Sequence, residues 1–163
     1  MSTKALSWQI RRANRSDLSA LVQLEEQCFD YSQIGRRSFR YLIDSPSVHF
    51  YVCIADNQQL LGYYILLTRK NSVKWRLYSI AITPTNRGTG LGKILFEHAL
   101  ATARQGGAKQ FTLEVKTDNS AAINLYRRYH FEVTDLLPDY YGRGTEGYRM
   151  CLTLEVQGDL ESP

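Results

Sequence analysis

The sequence predicts an α/β (α+β) fold in which a mixed, mostly antiparallel sheet of about seven strands carries one parallel pair and is flanked by about four helices. Three observations predict it. Short runs rich in Val, Ile, Tyr and Phe recur between turn-forming residues, as strands require. Other stretches place apolar residues three and four positions apart, as helices require. With 163 residues, 44% of them hydrophobic, the chain can bury one sizeable core, so residues 1–163 are expected to form a single domain with loose tails at 1–7 and 158–163.

The elements follow in order. "WQIRRA", residues 8–13, alternates and reads as the first strand. Asp17 precedes Leu18, Leu21, Val22 and Leu24, a helical stripe that ends near Cys28, and a second short helix near Arg36 to Ile43 stops before Pro46. "HFYVCIAD" and "LLGYYILLTR", separated by the turn-like "DNQQ", lead into "KWRLYSIAIT", which ends at Pro84; these three runs suit an antiparallel meander. Glycines follow at once, and Ile94, Leu95, Ala99, Leu100 and Ala103 then give a helix its apolar face, ended by Gly106 and Gly107. "QFTLEV" is the next strand, parallel to the preceding one by the right-handed crossover rule. Asn119 or Ser120 caps a further helix through Tyr129, and strands near Phe131 to Leu136 and Tyr148 to Leu154 close the chain.

Composition narrows the function classes. Lys and Arg outnumber Asp and Glu by 20 to 16 and lie scattered from Arg11 to Arg149, a bias that fits a nucleotide-like cofactor better than DNA. Nucleic acid is not an expected partner, because no module interleaves aromatic and basic residues. The cysteines Cys28, Cys53 and Cys151 form no CxxC or zinc spacing; reduced thiols and no metal are expected. The first residues lack the pattern of a signal peptide, and the longest apolar run, Leu60 to Leu67, is far short of the ~18 residues a membrane span requires. A soluble, cytoplasmic protein without membrane partners is expected.

"NRGTGLGKILF", residues 86–96, sets three glycines ahead of a helix. A helix N-terminus exposes unpaired N–H groups at the positive end of its dipole, and glycines let the backbone curl so that several of them meet one anion. A Walker A loop would need Gly at Arg87 and Ser or Thr at Ile94, and a dinucleotide fingerprint starting at Gly88 would need Gly at Lys93. Both fail, which leaves a different phosphate loop or a plain turn.

Arg87, Gly88, Thr89, Gly90, Leu91 and Gly92 match the R/Q-x-x-G-x-G/A loop of the GNAT superfamily of N-acetyltransferases, and the sequence resembles that family further. "SIAITP" looks like its fourth strand. "LEVKTDNSAAINLYRRYHF" and "YYGRGTEGYRM" are similar to segments of the branch that acetylates the N-terminal alanine of a ribosomal protein. The resemblance covers about half of the chain, from Ser79 to Met150. It implies a GNAT fold with a splayed central parallel pair and an acetyl-CoA site: main-chain groups of Gly88 to Lys93 on the pyrophosphate, the edge of Ile80, Ala81 and Ile82 on the pantetheine amides, and Asn119 as a further cofactor ligand. Read without the resemblance, "SIAI" is a plain core strand.

The reaction implied is attack of a neutral amine on a thioester. An α-amine with a pKa of about 7.7–8.0 is neutral roughly one time in ten at pH 7, a lysine near 10.4 about once in several thousand, so an α-amine asks far less of a base. Glu114 lies between Leu113 and Val115, and strand alternation points it to one face. It matches the branch's base position and would gain a raised pKa on burial; a solvated or ion-paired strand glutamate is the alternative. Tyr126 follows by the 12 residues that the branch's acid does. A phenol near 10 is about 1.5 units, or roughly 2 kcal/mol, uphill as an acid for a thiolate near 8.5, so Tyr126 must be tuned or donate only a hydrogen bond; core packing is the alternative. Tyr31, Tyr140 and Tyr141 fall in segments that border the family's acceptor.

Departures concentrate there too. Gly147 and Tyr148 replace the branch's Asp-Ala after Glu146, "CFDYSQIGRRSF" lacks the usual Pro and Trp, and Arg36 and Arg37 hint at an acidic acceptor, although exposed arginines usually carry no message. His130 stands in a left-handed position usually held by Gly, at modest cost. The expectation is an acetyl-CoA-dependent N-acetyltransferase, monomeric or homodimeric, that acts on the N-terminal α-amine of a protein or peptide with Glu114 as base and Tyr126 as acid. Acetylation of a small-molecule amine or lysine, and a non-catalytic acyl-CoA-binding module, are the alternatives.

Overall fold

In the computed structural model, residues 7–29 and 34–154 are described. Strand β1 (Trp8–Arg12) leads through a short 3-10 turn into helices α1 (Leu18–Cys28) and α2 (Arg36–Asp44). Strands β2 (Val48–Ala55), β3 (Leu60–Leu67) and β4 (Lys74–Ile82) follow, then α3 (Leu91–Gln105), β5 (Gln110–Lys116), α4 (Ser120–Arg128), β6 (Glu132–Leu137) and β7 (Gly147–Thr153). The seven strands form one sheet in the order β1-β2-β3-β4-β5-β7-β6, with β4 and β5 parallel and the pairs β1–β2, β5–β7 and β6–β7 antiparallel. This is the mixed sheet with a central parallel pair that the sequence predicts. No helix among the described residues is long and apolar enough to cross a membrane.

Contacts divide the chain into two compact units, Met1–Leu66 with Tyr78–Ala99, and Leu67–Leu77 with Leu100–Pro163. In the first, Leu21, Phe39, Val52, Tyr63, Ile65 and Leu95 are fully buried, and the rings of Phe39, Phe50 and Tyr63 lie 5.8–5.9 Å apart. Each such side chain contributes about 1.5–3 kcal/mol on burial. Asn14 caps the turn before α1, and Arg11 clamps Asp17 with two 2.9 Å bonds. At Gly62 a Cβ would sit 2.7 Å from the carbonyl oxygen of Ala81, so only glycine lets β3 and β4 approach this closely.

In the second unit, Lys74, Trp75 and Arg76 of β4 pair with Gln110, Phe111 and Thr112 of β5. Trp75 and Leu77 are buried, so alternation turns Lys74 and Arg76 to the opposite face. Phe111, Leu113 and Met150 fill the core beneath β5 and β7. Asn119 caps α4 by accepting from the Ala122 N–H at 3.2 Å, and His130 takes φ 75° just past the helix, as the sequence predicts.

Candidate active site

The first unit carries the glycine loop. After the turn at Pro84–Asn86, Gly88 and Gly90 adopt φ 81° and 89°, and nothing lies within 4 Å of where a Cβ would stand at either. Twist of the backbone, not lack of room, is therefore what selects glycine there. The first helical bond runs from Ile94 N–H to the Gly90 carbonyl at 3.2 Å, which leaves the N–H groups of Leu91, Gly92 and Lys93 ahead of the intrahelical ladder. Thr89 pins the curl: its hydroxyl donates to the Asn86 carbonyl at 2.6 Å and accepts from Leu91 N–H at 3.4 Å. N–H groups at a helix N-terminus, behind two glycines with open space at their Cβ positions, are the kind of site that binds a phosphate. Arg87 points elsewhere, its Nη2 lying 3.5 Å from Cys28 Sγ, while Cys28 donates to the carbonyl of Ile82 at 3.4 Å. On β4, Ala81 is buried and Ile80 and Ile82 are half-buried.

This unit also holds a buried acid that sequence reasoning missed. Glu25 is 2% exposed. The Tyr63 hydroxyl donates a short hydrogen bond to Glu25 Oε1 and lies 2.8 Å from Ser79 Oγ; Ile34 N–H donates to Oε2 at 2.8 Å. Burial raises the carboxyl above its ordinary value, against the lowering effect of those two bonds, and burial also pushes the Tyr63 phenol well up. The signal was available: Glu25 sits four residues after Leu21 and beside Leu24, on the buried stripe of α1.

In the second unit, Glu114 stands on β5 opposite Arg149 of β7, with its side chain 5% exposed. The residue as a whole is only half-buried, so the remaining exposure lies on its main chain. Arg76 Nη2 lies 2.6 Å from Glu114 Oε1 and donates to the Tyr140 hydroxyl at 2.8 Å; Tyr140 in turn donates to Oε1 at 3.1 Å. Glu114 is thus an ion-paired carboxylate. Its other oxygen, Oε2, is buried and has no hydrogen-bond partner among the described residues.

Two tyrosines gather around this acid. Tyr140 and Tyr141 meet edge to face at 5.0 Å, and the Tyr141 phenol is pushed up chiefly by burial, then by the charges of Tyr140, Glu114 and Tyr126. Burial likewise raises Tyr126, whose ring lies 5.8 Å from that of Phe131. The phenol is a weaker acid than in water, which widens its mismatch with a thiol and favours donation of a hydrogen bond over transfer of a proton. A Cβ at Gly147 would lie 2.8 Å from the Tyr141 ring, so the departure at this position makes room for that ring. Glu114, Tyr140 and Tyr141 therefore fall together, joined by Arg76, which the sequence does not single out, and Tyr126 lies near enough to Tyr141 to act on its phenol. Asn119 is exposed and its Oδ1 is engaged as the α4 cap. Tyr31 lies outside the described residues.

The family model described as Acetyltransferase (GNAT) family matches residues 18–131. The ribosomal protein bS18-alanine N-acetyltransferase of Haemophilus influenzae is 32% identical over 139 residues, spanning 85% of this chain and 90% of that protein. The N-alpha-acetyltransferase RimI of Mycobacterium tuberculosis is 32% identical over 144 residues, spanning 83% and 86%. The crystal structure of the ribosomal-protein-S18-alanine N-acetyltransferase from Escherichia coli matches with a TM-score of 0.82 at 21% identity, over 96% of this chain and 100% of that one, a likeness of fold.

Proposed function

The chain belongs to the acetyltransferase (GNAT) family and is an acyltransferase, and we propose that it moves an acetyl group from acetyl-CoA to the N-terminal α-amine of a protein or peptide. The relatives named for alanine N-termini support the acceptor class. One observation carries the assignment of Glu114: a carboxylate whose side chain is 5% exposed holds one oxygen by Arg76 and Tyr140 and leaves the other without a donor. A buried acceptor in that state costs about 1–3 kcal/mol until an N–H fills it. An incoming amine supplies that N–H, and Oε2 then takes the proton that the amine loses as it attacks.

Acetyl-CoA, when bound, would supply the acetyl thioester, with CoA thiolate as the leaving group. The N–H groups of Gly92 and Lys93 and the curl at Gly88 and Gly90 would hold its pyrophosphate, and main-chain groups of Ile80, Ala81 and Ile82 its pantetheine amides. Tyr126, whose phenol burial makes a weaker acid, would keep its hydrogen and offer it as a hydrogen bond to a leaving thiolate. Arg76 pairs with Glu114 and, through Tyr140, sets its orientation.

The test is a thiol-release assay with acetyl-CoA over peptides that begin with Ala, Ser, Met or Gly, beside free lysine and polyamines. Turnover confined to the peptides is expected. Faster release with lysine or polyamines would replace the acceptor class, and tight acetyl-CoA binding without turnover on any amine would leave a binding module.

A further inference from the structure

Arg76 and Tyr140, which hold Glu114, also line a cleft of about 640 Å³ within the second unit. That volume lies inside the ~300–1,000 Å³ typical of ligand sites. The strand pairing builds its floor: Lys74 and Arg76 share one face of β4, Gln110 and Thr112 lie opposite them on β5, and Arg149 of β7 pairs with Asp135 of β6. Its basic side chains are Arg69, Lys74, Arg76 and Arg149, and its one acid is Asp135.

These charges are not equally engaged. Arg76 is held by Glu114, and Arg149 Nη1 lies 3.6 Å from Asp135 Oδ2. Arg69 and Lys74 are exposed and have no ion pair among the described residues. Four bases thus face two acids even when Glu114 is counted, and by the strand register Lys74, opposite Gln110, lies farther from that carboxylate than Arg76, opposite Thr112.

We propose that this cleft selects acceptor peptides with acidic side chains close behind the amine, an inference that rests on Glu114 being the base. The strand supplies a ruler. Lys74 lies two residues before Arg76, about 6.6 Å along β4, and an extended peptide advances about 3.3 Å per residue. An amine at Glu114 therefore brings side chains of its second to fourth residues alongside Lys74 and Arg69. A basic peptide in the same place would set like charges against both, which is how a charged cleft rejects as well as attracts.

The experiment uses free-amine peptides of equal length that begin Ala-Asp-Glu, Ala-Gln-Gln and Ala-Lys-Lys. Each is measured twice: for acetylation, and for binding to the enzyme without cofactor by fluorescence anisotropy. The acidic peptide is expected to lead the neutral one by several-fold to about 10-fold in kcat/KM and in affinity, with the lead shrinking as salt rises. The double reversal Arg69→Glu/Lys74→Glu should invert the order. The neutral pair Arg69→Met/Lys74→Met should level it, and covers the case in which the reversal fails to fold.

Equal rates for the three peptides, or an order that survives the reversal, would overturn the proposal while leaving the acetyltransferase reading intact. Acid-selective binding that the reversal inverts, with no acetylation of any peptide, would do the opposite. A single-stranded oligonucleotide that displaced the acidic peptide at equal salt with higher affinity would overturn it in favour of a nucleic-acid ligand.

Discussion

The glycine loop at residues 87–93 and the Glu114 cluster are built from different materials. In the loop the groups proposed to act are main-chain N–H groups, aimed by two positive φ angles and pinned by the hydroxyl of Thr89. In the cluster they are side chains, a carboxylate held by a guanidinium and a phenol that reach it from β4 and from the chain before β7. A main-chain site tolerates almost any side chain wherever the backbone angle is kept. A side-chain site tolerates almost any backbone detail wherever the partner charges stay. The two should therefore fail differently, the first in cofactor affinity and the second in chemistry.

The sharpest test of that contrast is Glu114→Gln. It should lower kcat by about 10²–10⁴-fold, as loss of a general base does, with the KM for acetyl-CoA nearly unchanged. Steady-state rates read both, and a matched loss in the two parameters would dissolve the distinction. Tyr126→Phe comes next, with turnover down about 10²-fold and acetyl-CoA binding, followed by calorimetry, little altered; equal losses would remove Tyr126 from the chemistry. Gly90→Val probes the other side. Forcing a branched side chain to φ 89° costs at least the ~1–2 kcal/mol of a left-handed residue, so the KM for acetyl-CoA should rise about 10-fold or more at nearly constant kcat.

The smallest effect concerns Glu25, which touches neither region. Its folded carboxyl is raised above the ordinary 4.5, so between that value and the raised one the native state binds more protons than the unfolded chain. Stability then falls as pH climbs through that window. Glu25→Gln removes the slope, because the Tyr63 hydroxyl can turn to Ser79 and leave the amide oxygen for Ile34. Thermal melts from acid to neutral pH should show the wild-type midpoint losing ground against the variant by a few degrees; parallel curves would rule out burial of the charged form.

Local chemistry was legible in the sequence wherever a local rule governed it. Apolar alternation gave the strands, three glycines before a helix gave the loop, and Asn119 or Ser120 announced a cap that Asn119 makes, whereas the left-handed turn at His130 was read from the family likeness. Glu114 and its tyrosines were legible only through a family likeness. The pairing with Arg76 was not, because the two meet through strand register: Arg76 and Tyr140 are separated by 64 residues and Glu114 and Tyr140 by 26. Glu25 reads as a surface acid until the stripe of α1 is known to be buried. Arg69 and Lys74 lie close in sequence, between β3 and the start of β4, but they gain meaning only when the fold sets Asp135 and Arg149, more than 60 residues on, beside them.

Gly147 and Tyr141 share one volume, since the aromatic ring occupies the place where a methyl at 147 would stand. Where 147 carries a side chain, as in the branch's Asp, a tyrosine at 141 must lay its ring elsewhere than it lies here. The missing methyl at 147 thus sets the pose of a phenol elsewhere in the chain, and restoring it would swing that phenol off the face it shares with Tyr140.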